Sequence, residues 1–202
     1  MSQEKIEELK LKFKEAGLDK SYKDTVQVIA GIDPSLAKTG VIVLNSKGDV
    51  LCDELIKPGK LKGIARLKYI KDTLIKILQK HKVTVIAIES YSFGSRGRAT
   101  FSLGELGGVL RLALLENGFK FFDVSPSSLK SFVAENGAAD KVMMRQAIIR
   151  KYRLDITEDN IADAYGLARM CLFLGDSMPK FCAKGGAALM KKLREKMGLV
   201  LQ

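Results

Sequence analysis

Apolar and polar positions along the chain follow two periods, and their order predicts a layered α/β domain. Val26, Val28, Ala30 and Ile32 alternate with their neighbours, which is strand periodicity, and Pro34 ends the run. Val41 to Leu44 reads as a second strand, Asn45 to Asp49 as a turn, and Val50 to Ile56 as a third strand. Links this short favour an antiparallel meander. Ile64, Leu67, Ile70, Leu74, Ile77 and Leu78 then hold one face of a helix ending near His81. Val83 to Ile88 is a nearly unbroken, β-branched apolar run, as in a strand covered on both faces. A helix over Ala99 to Glu116 and a strand over Phe119 to Val124 follow. Ser125-Pro126 suits the cap and first turn of a short helix through Val133. Two more helices run from about Asp140 to Lys151 and from about Thr157 to Leu174, the latter with acids in its first turn.

The order βββ-α-β-α-β-α-α-α implies an α/β fold, a five-stranded mixed sheet with helices on both faces. Right-handed crossovers allow the fourth strand to lie beside the first and parallel to it. This domain is expected over residues 25–176. Residues 1–24 read as a helical appendage, with Ile6, Leu9 and Phe13 at helical spacing and Gly17 as its stop. Residues 177–202 read as a basic tail, in which Lys180, Lys184, Lys191, Lys192, Arg194 and Lys196 surround little that could form a core.

Charge narrows the function. The chain of 202 residues carries 34 Lys and Arg against 23 Asp and Glu, a formal net charge of +11. A globular protein this basic usually meets a polyanion. No apolar run approaches the ~20 residues needed to span a bilayer. The first residues mix both charge signs and show no signal-peptide core. The cysteines Cys52, Cys171 and Cys182 form no CxxC pair, so reduced thiols of a cytosolic protein are expected. His81 is the only histidine, which leaves zinc and Ser–His–Asp chemistry without partners.

Three acids fall at one edge of the expected sheet. Asp33 ends the first strand, Glu89 ends the fourth, and Asp163 lies on the last core helix. Open α/β sheets place their sites at strand ends of this kind. An acid closing a buried apolar run is costly unless it is solvated or holds a cation. Asp159 and Asn160 precede Asp163 by four and three positions and share its helix face. Any one of these acids alone reads as a turn or cap residue, and Asp159 equally well as a partner of the helix dipole. Together, with no basic partner in their own motifs, they suggest hard divalent cations held through oxygen.

The stretches GIDPSLAKTG, VIAIESYSFG and NIADAYGLA, which carry these acids, resemble the three signature stretches of the RuvC family of Holliday-junction resolvases. The resemblance runs from about Val26 to Leu174 and closely matches phage-type members. It implies an RNase H-like nuclease domain and a catalytic set of Asp33, Glu89 and Asp163. The family's fourth acid falls on Asn160 here, with Asp159 one place earlier, and either could complete the metal site. Asp123 to Lys130, including Ser125, followed by Asn136 to Lys141, looks like the family's DNA-binding stretch. Lys130 and Lys141 match its phosphate-binding lysines. An aromatic wedge at the junction centre would be Tyr91 or Phe93, which flank Ser92.

What the resemblance implies is a structure-selective endonuclease that nicks four-way or branched DNA symmetrically. Two Mg²⁺ ions, with Mn²⁺ as substitute, would stand about 3.5–4 Å apart in its site. Arg96 and Arg98, in the loop after Glu89, suit phosphate contacts. A junction has two equivalent strands to cut, so a homodimer is expected, with the Ala99–Glu116 helix as a candidate interface. The expected setting is bacterial cytoplasm, with a virus as the source, during recombination or genome processing. Three rival readings stand beside this one. An actin-like ATPase or sugar kinase would need a second similar domain, for which the chain is short. A related nuclease could act on RNA–DNA hybrid. A non-catalytic junction-binding module would gain nothing from three acids near phosphate.

Overall fold

The computed structural model describes residues 1–16, 28–90 and 98–177, except for the side chains of residues 98–100 and 175–177. Thr25 and Val26, and the tail after residue 177, lie outside the described residues. Five strands form one sheet in the order β3-β2-β1-β4-β5. They are β1 (Val28–Asp33), β2 (Thr39–Asn45), β3 (Val50–Ile56), β4 (Val85–Glu89) and β5 (Lys120–Val124). The meander pairs antiparallel, and β4 lies parallel to both β1 and β5, as the crossover argument requires. Asn45 closes the β2–β3 turn, its side-chain oxygen accepting from the backbone N–H groups of Lys47 and Asp49.

The strands bury both faces. Ala30, Ile32, Val41, Val43, Ile86 and Ile88 point to one side, packed under α2 (Gly63–Lys80) and α3 (Arg98–Glu116). Ile29, Ile42, Leu44, Val85, Ala87 and Phe122 point to the other, under α4 (Pro126–Ala134), α5 (Lys141–Tyr152) and α6 (Asp159–Ser177). Ser125 and Asp140 cap α4 and α5 by accepting from the backbone N–H of Ser128 and Met143. No described helix is long and apolar enough to cross a membrane.

One segment differs from the sequence expectation. The helix taken as an appendage, α1 (Gln3–Glu15), is packed into the domain. Its Leu9 and Phe13 are fully buried, and the Phe13 ring meets Phe122 of β5 edge-on at 5.4 Å. Two apolar residues one helical turn apart make a narrow stripe, and that stripe covers the β5 side of the core.

Candidate active site

Backbone contact between α6 and the sheet builds the site. A Cβ on Gly31 would stand 1.9 Å from the Ala164 carbonyl oxygen, and one on Gly40 would stand 2.1 Å from that of Asn160. Only hydrogen at these two positions lets α6 lie directly across β1 and β2. The loop between the strands is held by Thr39, whose hydroxyl donates to the Ser35 carbonyl at 2.7 Å. The last residue of β1, Asp33, is thereby buried beside the first turns of α6.

Asp33, Glu89 and Asp163 lie near enough at one end of the sheet to act on one another's charge. The carboxyls of Asp33 and Glu89 share a hydrogen bond, and Asn160 Nδ2 donates to Asp33 Oδ2 at 2.7 Å. Burial and the Asp33 charge push Glu89 up to about 9. Burial and the charges of Asp33 and Asp159 push Asp163 up to about 7. Burial raises Asp33 as well, against the hydrogen bonds from Glu89 and Asn160 and the charge of Lys141. Burial first, and the neighbouring acids second, therefore favour the protonated forms of Glu89 and Asp163.

Glu89 and Asp163 open onto a cleft of about 390 Å³ walled by α3, α4, α5 and α6, with Asp33 buried behind them. Lys130 and Lys141 line it, and the charge of each acts on Asp163. Asp159 is also on the wall, but its carboxylate is ion-paired with Lys141 at 2.9 Å and Arg145 at 2.7 Å. Of the two candidates for fourth ligand, Asn160 thus faces Asp33 and Asp159 faces two cations. The Ser125 hydroxyl caps α4 and donates to Ser128 Oγ at 2.8 Å. Tyr91, Phe93 and Arg96 lie outside the described residues, and Arg98 opens α3 with its side chain undescribed.

Sequence reasoning missed Arg111 and Arg145, and took Asp123 only as the start of the DNA-binding stretch. Arg111, on the cleft wall, donates from Nη2 to the Glu89 carbonyl and from Nη1 to the Gly107 carbonyl, each at 3.1 Å. Its Nε donates to Asp123 Oδ1 at 2.9 Å. One guanidinium thus ties the end of β4 to α3 and β5. The available signal was an arginine inside the otherwise apolar run Val109 to Leu115.

A cation fits the donor chemistry. All the candidate ligands offer oxygen, as hard divalent ions require, and a positive charge among them would offset the burial and the repulsion that raise Glu89 and Asp163. Among the described residues, no three or more Asp, Glu, Cys or His side chains are grouped to hold a metal as they stand.

Comparison with known proteins places this geometry in a lineage. The family model for crossover junction endodeoxyribonuclease RuvC matches residues 29–171. The chain is 28% identical over 158 residues to the RuvC of Caldicellulosiruptor saccharolyticus, covering 74% of this chain and 93% of that one. It is 34% identical over 140 residues to the RuvC of Bradyrhizobium diazoefficiens, covering 67% and 79%. Thermus thermophilus RuvC shares the fold, with a TM-score of 0.64 at 21% identity over 75% of this chain and 98% of that one. The same protein solved with a Holliday junction gives 0.62 at 21% identity, over 75% and 93%. The match includes Asp33, Glu89 and Asp163, and the chain belongs to the RuvC family of crossover junction endodeoxyribonucleases.

Proposed function

We propose that the chain cuts four-way DNA junctions by hydrolysing one phosphodiester in each of two symmetry-related strands. The observation that carries this reading is the buried cluster of Asp33, Glu89 and Asp163 at the foot of a cleft walled by Lys130 and Lys141. Family membership and the relative solved with a junction support it. The family is one of metal-dependent nucleases; here two divalent ions, Mg²⁺ or its substitute Mn²⁺, would supply activation of water and stabilisation of the leaving oxygen.

The protein's own part is positional. Asp33, Glu89 and Asp163 offer the oxygen ligands. Asn160 fixes the Asp33 carboxylate through its amide and stands nearest as a fourth donor. Arg111 holds the Glu89 backbone. Lys130 and Lys141 bind the phosphate being cut, with Lys141 exchanging Asp159 for the substrate. Tyr91 or Phe93 would wedge the junction, and Arg96 and Arg98 would contact its backbone.

A homodimer presents two such sites to the two strands. Its interface in this reading is α3, where Phe101, Leu112 and Leu115 are exposed. A Cβ at Gly104 or Gly108 would meet nothing within 4 Å, so that face is open to close approach by a second helix. Residues 25–176 are the nuclease domain, with α1 packed on it and a basic tail after it. We set its work in bacterial cytoplasm, during recombination or genome processing, with a virus as the source; the bacterial relatives support the bacterial setting.

The test offers purified protein a labelled four-way junction, linear duplex and RNA–DNA hybrid with Mg²⁺, Mn²⁺ or chelator, beside Asp33→Asn. Paired nicks in the junction alone, abolished by chelator and by the substitution, are expected. Preferential cutting of hybrid would overturn the substrate, and no metal-dependent cutting of any substrate would overturn the enzyme.

A further inference from the structure

From Leu55 to Lys71 the chain carries six cations and no acid. Lys68 and Lys71 are ion-paired with Asp72 at 2.5 and 2.8 Å. Lys57, Lys60 and Lys62 are exposed, and among the described residues none of the three has a carboxylate partner. They occupy the connection from β3 to α2. That helix starts with no acid in its first turn and no side-chain cap, so nothing there offsets the lysines.

The sheet register places this connection. Asp33 pairs with Gly40 across β1 and β2, and Gly40 pairs with Leu55 across β2 and β3. Strand β3 therefore runs out at the same sheet edge as Asp33, two strands away, which is about 10 Å. Lys130 and Lys141 reach that edge from α4 and α5, while Lys57, Lys60 and Lys62 reach it from the β3 end. Duplex DNA advances about 3.4 Å per nucleotide of one strand. The lysines then stand about three or more nucleotides from a phosphate seated at Asp33.

Three unpaired like charges within six residues repel one another, and a polyanion lying across them would remove that repulsion. We propose that Lys57, Lys60 and Lys62 form a second phosphate-contacting surface that grips the DNA arm leading away from the cut position. The inference rests on the junction-cutting reading above. Its contacts are to backbone, so it adds affinity and alignment without sequence preference.

The test compares two triple variants with the wild type. One is Lys57→Gln, Lys60→Gln, Lys62→Gln. The other removes equal charge at the opposite end of the sheet: Lys47→Gln, Lys76→Gln, Lys80→Gln. Junction binding is titrated with metal chelated, from about 50 to 200 mM salt, where each lost phosphate contact lowers the log–log salt slope by about 0.9. The first triple should lose about 2–3 in slope and at least tenfold in affinity at the low-salt end. The second should lose less than 1 in slope. Cutting of saturated junction with Mg²⁺ should be unchanged in the second triple. Junctions with arms too short to reach the lysines should bind the wild type and the first triple alike. Equal slopes for the two triples, from a wild type that cuts junctions, would overturn this inference alone. A wild type that binds no junction would overturn the functional reading and this inference with it.

Discussion

Replacing Glu89 by Gln should stabilise the metal-free protein. Glu89 titrates at about 9 in the fold, against an ordinary value of 4.5, because burial and the Asp33 charge disfavour its ionised form. Between those two values the folded protein carries a proton that the unfolded chain has released. Stability therefore falls as pH rises from about 4.5, and the loss is complete near 9. Each pH unit in that window costs about 1.4 kcal/mol, so at pH 7 the carboxyl costs the fold about 3 kcal/mol. Glutamine has nearly the same shape and does not titrate, and its amide can still donate to Asp33. For a domain of this size, 3 kcal/mol corresponds to about 6–12 °C in Tm. The assay is thermal unfolding in chelator from pH 5 to 9. Wild type should lose Tm steadily across the range and Glu89→Gln should run flatter, the two curves separating as pH rises. Mg²⁺ should raise the wild-type Tm more than that of the variant, while the variant loses nicking. A variant less stable than wild type at pH 8, or one with the same pH slope, would refute the argument that this carboxyl is held protonated by its surroundings.

Arg111→Gln breaks the tie between Glu89, Gly107 and Asp123 and should cost about 1–3 kcal/mol in urea unfolding. Nicking by that variant should need more Mg²⁺ for half-maximal rate, with Arg111→Lys restoring part of the loss. Gly31→Ala forces a methyl into the Ala164 carbonyl and should cost about 3 kcal/mol or more, read as a fall in Tm. Phe13→Ala empties a fully buried site against Phe122 and should cost about 3–5 kcal/mol, although the residue lies outside the matched family segment.

The parts legible in the sequence were those with a local period. The runs ending at Asp33 and Glu89 alternate or stay apolar for five or more residues, so each strand and its terminal acid could be placed from neighbours alone. Asn160 and Asp159 were not separable, because adjacent positions on a helix differ by about 100° of rotation and only packing fixes which faces inward. That packing is set by Gly31 and Gly40, whose missing side chains show no partner in the sequence. Arg111 was invisible for a related reason: Gly107 is a turn away, but Glu89 and Asp123 come from other elements. For α1, the stripe of Leu9 and Phe13 was visible, but the β5 side it covers was not.

The same glycines explain why the carboxylates are crowded. Pressing α6 onto β1 and β2 buries Ala164, Leu167 and Ala168 against the sheet and stabilises the fold. It also brings Asp163 and Asn160 beside Asp33, where the charges raise one another. Relaxing that crowding by moving α6 away would surrender core burial along much of the helix, so the fold holds the carboxyls together and takes up protons instead. A divalent cation that displaces those protons recovers the free energy spent on neutralising them, which makes its affinity rise with pH while the metal-free fold weakens. Metal affinity and metal-free instability are then two readings of one cluster, and any substitution that relieves the second should weaken the first by a comparable factor.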